Sequence, residues 1–274
     1  MQRLSAKIKA EGKSIGFVPT MGYLHEGHLS LVKKSLNQTD VTIVSIFVNP
    51  TQFAPNEDLA KYPRDIEGDK KFLKNAGIDY LFTPDVSKIY PGGFQTFVEV
   101  EKISKYLEGK FRPTHFKGVC TIIAILFNIV NPDYTFFGQK DAQQTAVIKQ
   151  MVKDLHFGSK IIVCPIIREP DGLALSSRNV YLNNDERKDS LILIKSLKLA
   201  GGLIKKGELR SSNIINEIKR RISSEGSAKL DYAAIVDAEK FEEKDYLLKG
   251  KKYYILIACK IGGTRLIDNL LIKV

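Results

Sequence analysis

The sequence predicts an α/β protein in which a doubly wound, mainly parallel sheet is followed by a smaller α+β domain. Two observations carry this. Up to about residue 166, short apolar runs rich in β-branched and aromatic residues alternate with segments of helical spacing, as in β–α units. Beyond it the order becomes helices first and strands last, which marks a second domain over 167–274.

The strand-like runs are SIGFVP (14–19), VTIVSIFVNP (41–50), DYLFTP (79–84), DYTFFG (133–138) and KIIVCPII (160–167). Between the first two, Leu29, Val32 and Leu36 recur at helical spacing; the helix is expected to begin at Gly27 and to bury Leu29, Leu31 and Val32. Ile122, Ile125, Leu126 and Ile129 repeat the pattern before the fourth run. After the fifth, one long helix over about 185–206 and another following Ser211 and Ser212 lead into LDYAAIVDA. A strand pair joined around Gly262 and Gly263 completes the chain. Ligands of open parallel sheets sit beyond the carboxyl ends of the strands, so residues just after each run are the functional candidates.

A chain of 274 residues with 43% hydrophobic and 27% charged residues has the composition of an ordinary globular protein. Its longest apolar run, TIIAILFNIV (121–130), is about half of what a membrane span needs. The charged amino terminus does not read as a signal peptide, so a cytoplasmic location is expected. Cys120, Cys164 and Cys259 show neither disulfide-framework nor zinc-site spacing and are expected to stay reduced. The net charge of +11 is spread along the chain without an aromatic-interleaved basic tract, and so identifies no nucleic-acid surface.

Two of the four histidines, His25 and His28, stand where the helix after the first strand should begin. Backbone N–H groups and the helix dipole favour an anion there, two imidazoles can donate to phosphate oxygens, and Gly27 leaves room for a nucleotide. Taken alone, H-x-x-H reads as surface or capping histidines, and without a third ligand it is no metal site. Its companions change the reading. NPTQF (49–53) supplies amides, FFGQKDAQQ (136–144) a lysine, a carboxylate and more amides, and LALSSRN (173–179) two hydroxyls and an arginine. Lys140, Ser176, Ser177 and Arg178 suit a triphosphate whose charge grows as a bond to the α-phosphorus breaks. Neither GxxxxGK[ST] nor a GxGxxG after a strand occurs, which argues against a P-loop phosphotransferase and a dinucleotide cofactor. No serine elbow with a histidine and an acid is recognisable.

In this order PTMGYLHEGH, FVNPTQF, YPR, RPTHFKGV, FGQKDAQQ and REPDGLALSSRN resemble the pantothenate synthetase (pantoate:β-alanine ligase) family of the HxGH nucleotidyltransferase superfamily. The resemblance covers essentially the whole chain, most densely from Lys13 to Leu182. It implies a Rossmann-like ATP- and pantoate-binding domain (1–166), a smaller lid domain (167–274) and a homodimer joined through the larger domains. It implies that pantoate and ATP give pantoyl adenylate and pyrophosphate, and that β-alanine then gives pantothenate and AMP. Mg2+ would accompany the ATP, with no tightly bound organic cofactor and no nucleic-acid or membrane partner.

Carried over by position, Met21, Gly22, Tyr23, Leu24, His25, Glu26, Gly27 and His28 would lie along ATP, with His28 the family's proton donor. Gln52 and Gln144 would hold pantoate. Gly138, Gln139, Lys140 and Asp141 would hold the ribose, Lys140 reaching the phosphates, and Ile167 would pack on the adenine. Leu175, Ser176, Ser177 and Arg178 match the phosphate loop, while Asn49, Tyr62, Glu108 and Arg112 fit supporting positions. Asp69 falls where the family has an acidic neighbour of magnesium; only one of the two usual acids is present, and it is not assigned as a ligand. Two features depart from the family: Leu175 replaces a frequent methionine, and the chain starts within the first helix, without the short strand usually before it. Two other readings stay open on the residues alone: a nucleotidyltransferase leaving AMP on a phosphorylated acceptor, and an RNA-binding protein using the positive charge.

Overall fold

The structure, a computed structural model, describes residues 1–55 and 57–274. The chain divides into two compact units: Met1–Gln139 with Gln143–Pro165, and Lys140–Ala142 with Ile166–Val274.

In the larger unit α1 (Gln2–Ala10) precedes five parallel strands, β1 (Ile15–Thr20), β2 (Val41–Ile46), β3 (Tyr80–Phe82), β4 (Tyr134–Gly138) and β5 (Lys160–Cys164). Their order is β3-β2-β1-β4-β5, so the direction of winding reverses between β1 and β4. Helices α2 (Glu26–Leu36) and α3 (Ile66–Ala76) supply Leu31, Val32 and Leu73 to one core, which meets Val18, Val44 and Phe136 of the sheet. The second core gathers Ile15, Phe17, Ile43 and Phe137 against α6 (His115–Val130) and α7 (Ala142–Asp154). Burial on both faces explains why the strand runs are almost wholly apolar. Two one-turn helices, α4 (Val86–Ile89) and α5 (Glu108–Phe111), lie in the long connection before α6.

The apolar run at 121–130 is the buried part of α6, whose Val119, Cys120, Ile122, Ile123 and Leu126 all face core. The helix stops at Asn131, in the left-handed region at φ 47°. Among the described residues no helix is long and apolar enough to cross a membrane.

Several expected boundaries move. The second run leaves the sheet after Ile46, because Pro50 has no N–H for a ladder and instead starts a 3-10 turn over Pro50–Gln52. The fifth ends at Cys164, before Pro165, and Ile166 and Ile167 belong to the smaller unit. The first β–α helix begins at Glu26 rather than Gly27 and buries Leu31, Val32 and Ser35, with Leu29 only partly covered.

The Pro50–Gln52 turn rests directly on α6. A Cβ placed at Gly118 would lie 2.4 Å from the Thr51 carbonyl oxygen and 2.5 Å from the Gln52 nitrogen, both backbone atoms. Gly118→Ala is therefore expected to destabilise the protein by about 1–3 kcal/mol, as overpacking against fixed backbone does. Thermal unfolding checks this; an unchanged midpoint would mean that the turn yields freely.

The smaller unit pairs β6 (Ala228–Asp237), β7 (Lys252–Ile261) and β8 (Thr264–Lys273) into an antiparallel sheet. The β7–β8 hairpin turns at Gly262 and Gly263 as expected. Helices α9 (Ile192–Lys205) and α10 (Ser211–Ser223) cover one face through Leu193, Leu197, Ile214 and Ile218. The single helix expected over about 185–206 is in fact α8 (Asn184–Asp189) followed by α9. At the break the Ser190 hydroxyl donates to the Arg187 carbonyl at 2.6 Å, the local competition by which serine interrupts helices. All three cysteines are buried free thiols.

Candidate active site

Because winding reverses between β1 and β4, their carboxyl ends border the crevice in which open α/β sheets bind ligands. The loop after β1 is shaped by two successive residues with positive φ, Gly22 at 84° and Tyr23 at 52°. For tyrosine this conformation costs about 1–2 kcal/mol. Asp69, at the start of α3, holds it: Oδ2 accepts the Tyr23 N–H at 2.8 Å and Oδ1 the Leu24 N–H at 2.7 Å. A Cβ at Gly22 would approach Asp69 Oδ2 and Ile46 Cγ2 to 3.0 Å, so glycine serves both the dihedral and the close approach. Burial raises the Asp69 pKa, against the two backbone hydrogen bonds that pull it down. Both of its oxygens thus serve the loop, and among the described residues no three His, Cys, Asp or Glu side chains cluster as a metal site.

The loop delivers His25 as the N-cap of α2. His25 Nδ1 accepts the Gly27 N–H at 3.1 Å, and His28 Nδ1 accepts the His25 N–H at 3.3 Å, a reciprocal capping box built from two imidazoles. With both Nδ1 atoms accepting, the proton of each neutral ring is assigned to Nε2. The ring centroids lie 4.2 Å apart. Capping and ligand binding are therefore compatible here: one nitrogen of each ring serves the helix and the other is a donor at its positive end. Glu26 between them is exposed in the first turn.

Gln52 closes the same region. Its Nε2 contacts Met21 Sδ at 2.8 Å, and its Oε1 accepts from Asn49 Nδ2 at 3.1 Å. Asn49 is itself fixed, donating to the Gly118 carbonyl and accepting from the Tyr90 and Thr51 hydroxyls. Behind it Arg112 makes a two-pronged ion pair with Glu57, at 2.8 and 2.7 Å, and His115 donates from Nδ1 to the Gln52 carbonyl at 3.1 Å. Of the two adjacent glutamines on α7, Gln143 is buried and fully engaged with the backbone of Ile103, Tyr106 and Glu108. Gln144 is half-buried, and its carboxamide makes no hydrogen bond among the described residues. Tyr62 packs edge-on against Phe53.

Burial, with the nearby Arg112 charge second, lowers the His115 pKa from 6.5 to about 4. A depressed histidine contributes stability above its unfolded pKa and loses it as pH falls. The unfolding free energy should therefore drop by about 3 kcal/mol between pH 7 and pH 4 on this account. Urea unfolding of wild type and His115→Gln at both pH values checks it; equal pH dependence in the two proteins would exclude His115 as the source.

Gln139–Asp141 form a 3-10 turn directly after Gly138, and of these Lys140 and Asp141 cluster with the smaller unit. Lys140 Nζ lies 3.4 Å from the Asp141 carboxylate. The segment 167–175 is a short hairpin: the Leu175 N–H donates to the Ile167 carbonyl at 3.0 Å, and the Glu169 N–H to the Leu173 carbonyl at 2.8 Å. It presents Ser176, whose Oγ caps a turn over Ser177–Tyr181 by accepting the Arg178 N–H at 3.3 Å. Ser177 is buried, while Leu175 and Arg178 are partly exposed.

The structure thus joins Met21, His25 and His28 with Gln52 and Asn49 in the larger unit, and gathers Lys140, Ile167 and the Leu175–Arg178 segment in the smaller. Sequence reasoning missed the Asp69 clamp on the loop. It also missed Arg168, Asp268 and Asn269, which brace the hairpin and Lys140. One signal was available: Asp268 lies two residues from Leu266 on β8 and so falls on its buried face, where a carboxylate demands a partner.

Fold and site define an α/β nucleotide-binding enzyme of the HxGH class. The sequence profile described as pantoate-beta-alanine ligase matches residues 1–271. Curated proteins called pantothenate synthetase are similar throughout: that of Caldicellulosiruptor saccharolyticus is 54% identical over all of this chain and 97% of its own, and that of Acetivibrio thermocellus 56% over 96% and 93%. The crystal structure of pantothenate synthetase from Thermus thermophilus superposes with a TM-score of 0.91 at 40% identity, covering 97% of this chain and 96% of that one. The pantoate-beta-alanine ligase of Francisella tularensis, complexed with beta-gamma ATP and beta-alanine, gives 0.74 at 38% identity over 98% and 95%. The chain belongs to the pantoate-beta-alanine ligase family. Its reaction is the ATP-dependent condensation of pantoate with β-alanine.

Proposed function

We propose that this ligase works in two steps through pantoyl adenylate, with the residues named above in the following roles. ATP lies along Met21–His28, and the Nε2–H groups of His25 and His28 donate to its phosphates. Lys140, Ser176, Ser177 and Arg178 bind the triphosphate, Gly138–Asp141 hold the ribose, and Ile167 packs on the adenine. Gln52 and Gln144 hold pantoate. The ATP would bring Mg2+ bound to its own phosphates, where the ion neutralises charge.

A carboxylate is a poor acylating agent until its oxygen becomes part of a good leaving group. In the first step a pantoate carboxylate oxygen attacks the α-phosphorus, and the bond to the bridging oxygen breaks to release pyrophosphate. Holding carboxylate and phosphorus in line supplies proximity, and fixed donors stabilise the charge that grows on the leaving oxygens. In the second step the uncharged amine of β-alanine attacks the acyl carbon, AMP leaves, and the amine proton is lost. The larger unit is the ATP- and pantoate-binding domain and the smaller unit the lid, and the enzyme works as a cytoplasmic homodimer.

The observation that carries this reading is the reciprocal histidine cap at the reversal of the sheet, with Gln52 packed on Met21 beside it. Pyrophosphate and AMP release, followed from ATP and Mg2+ with pantoate, test it. Pantoate alone should give pyrophosphate without steady AMP, and β-alanine should start AMP release. Pyrophosphate release that ignores pantoate would overturn it.

A further inference from the structure

We propose that Asp268 and Asn269, neighbours on β8, are positioning residues for adenylyl transfer, because they fasten Lys140 and the hairpin carrying Ser176–Arg178 to one point of one strand. The proposal rests on the reading that these two elements grip the triphosphate.

Asn269 Nδ2 donates to the Lys140 carbonyl at 3.0 Å, across 129 residues of chain. Residues Lys140–Ala142 belong with the smaller unit although the chain on both sides belongs to the larger, and this hydrogen bond is one tie that holds them there. The adjacent Asp268 takes Arg168 in a bidentate pair, Oδ2 with Nη1 at 2.7 Å and Oδ1 with Nη2 at 2.8 Å. Arg168 Nη1 also donates to the Gly172 carbonyl at 3.0 Å, so the guanidinium grips the turn of the hairpin, while the backbone of Arg168 bridges to Ala174 at its stem. Asp268 Oδ1 also accepts the backbone N–H of Asn269 at 2.7 Å, which ties the carboxylate to the main chain from which the Asn269 amide projects.

Asp268 is 3% and Asn269 1% exposed. A carboxylate and an amide at such positions are poor choices for stability alone, since well-packed apolar residues do as well or better. What they provide that apolar residues cannot is direction. A two-pronged guanidinium–carboxylate pair and an amide aimed at one carbonyl fix the spacing of Lys140 relative to Ser176–Arg178. That spacing matters because opposite ends of a triphosphate must be held while its α–β bridge breaks, and small misplacements of such groups cost rate heavily.

The test is a double-mutant comparison on the full-length enzyme, read as the rate of pantoate-dependent pyrophosphate release with ATP and Mg2+. Asn269→Ala alone should lower kcat about 10- to 100-fold with the pantoate KM changed less than about twofold. In a Lys140→Ala background the same substitution should lower kcat by less than about twofold, since it acts through Lys140. A drop as large with Lys140 absent as with it present would make Asn269 a general structural residue and overturn the proposal. Near-wild-type kcat for Asn269→Ala would overturn it as well. A near-full rate in Lys140→Ala alone would instead remove the phosphate reading, and the proposal with it. If Asn269→Ala does not fold, Arg168→Lys, which keeps the charge but loses the fork, should slow adenylation with pantoate KM unchanged; an unaltered rate there would equally overturn it.

Discussion

Lys140→Ala is expected to slow pantoate-dependent pyrophosphate release by about two to three orders of magnitude, the usual cost of removing one fixed donor to a developing negative charge. Folding should be nearly unaffected. The Lys140 side chain is 22% exposed, and it pairs with the carboxylate of the neighbouring Asp141 at 3.4 Å, an arrangement worth little to stability. Lys140→Arg should recover only part of the rate, because a planar fork does not replace a compact ammonium at the same place. Stopped-time pyrophosphate assays beside thermal unfolding of the three proteins separate the possibilities. A variant with nearly the full rate would remove Lys140 from the chemistry, whereas a matched fall in unfolding temperature would make it structural.

His28→Gln and His28→Ala form the second pair, and the comparison exploits the double task of the imidazole. Glutamine at the third helical position suits a capping box, so His28→Gln can still accept the His25 N–H, whereas alanine cannot. His28→Ala should therefore lose about 1 kcal/mol of stability and His28→Gln less. His28→Ala should lose about 10²- to 10³-fold in adenylation, since it has no donor, and His28→Gln less, since its amide Nε2–H can still donate. If His28→Ala proved almost fully active, the histidine would serve the helix end alone and the anion-donor role would fall.

Much of this candidate site was legible in advance because its determinants are local. His25, Gly27 and His28 lie within one helical turn, and a strand followed by a loop and a helix N-terminus can be read from adjacent residues. The same holds for GQKD after β4 and LSSRN after the hairpin. Where expectation and structure parted, local competition decided. Pro50 ended a run that was apolar enough to continue, and Ser190 split a helix whose spacing was unbroken.

The choice between Gln143 and Gln144 shows the limit from the other side. Side by side in sequence they are indistinguishable by composition. Helical geometry turns the first onto the backbone at Ile103, Tyr106 and Glu108, and leaves the second half-buried.

The sequence by itself determined the alternation of strands and helices, the placing of candidate groups just after strands, and the family to which those groups pointed. Each depends on periodicity or on residues within a few positions of one another. Only the tertiary structure decided how those groups are held: Asp69 closing on Tyr23 and Leu24, His115 buried neutral beneath Gln52, and Asn269 reaching Lys140 across 129 residues. Such contacts join groups whose separation along the chain carries no pattern, and the burial that makes each strong exists only once the sheets and helices have packed.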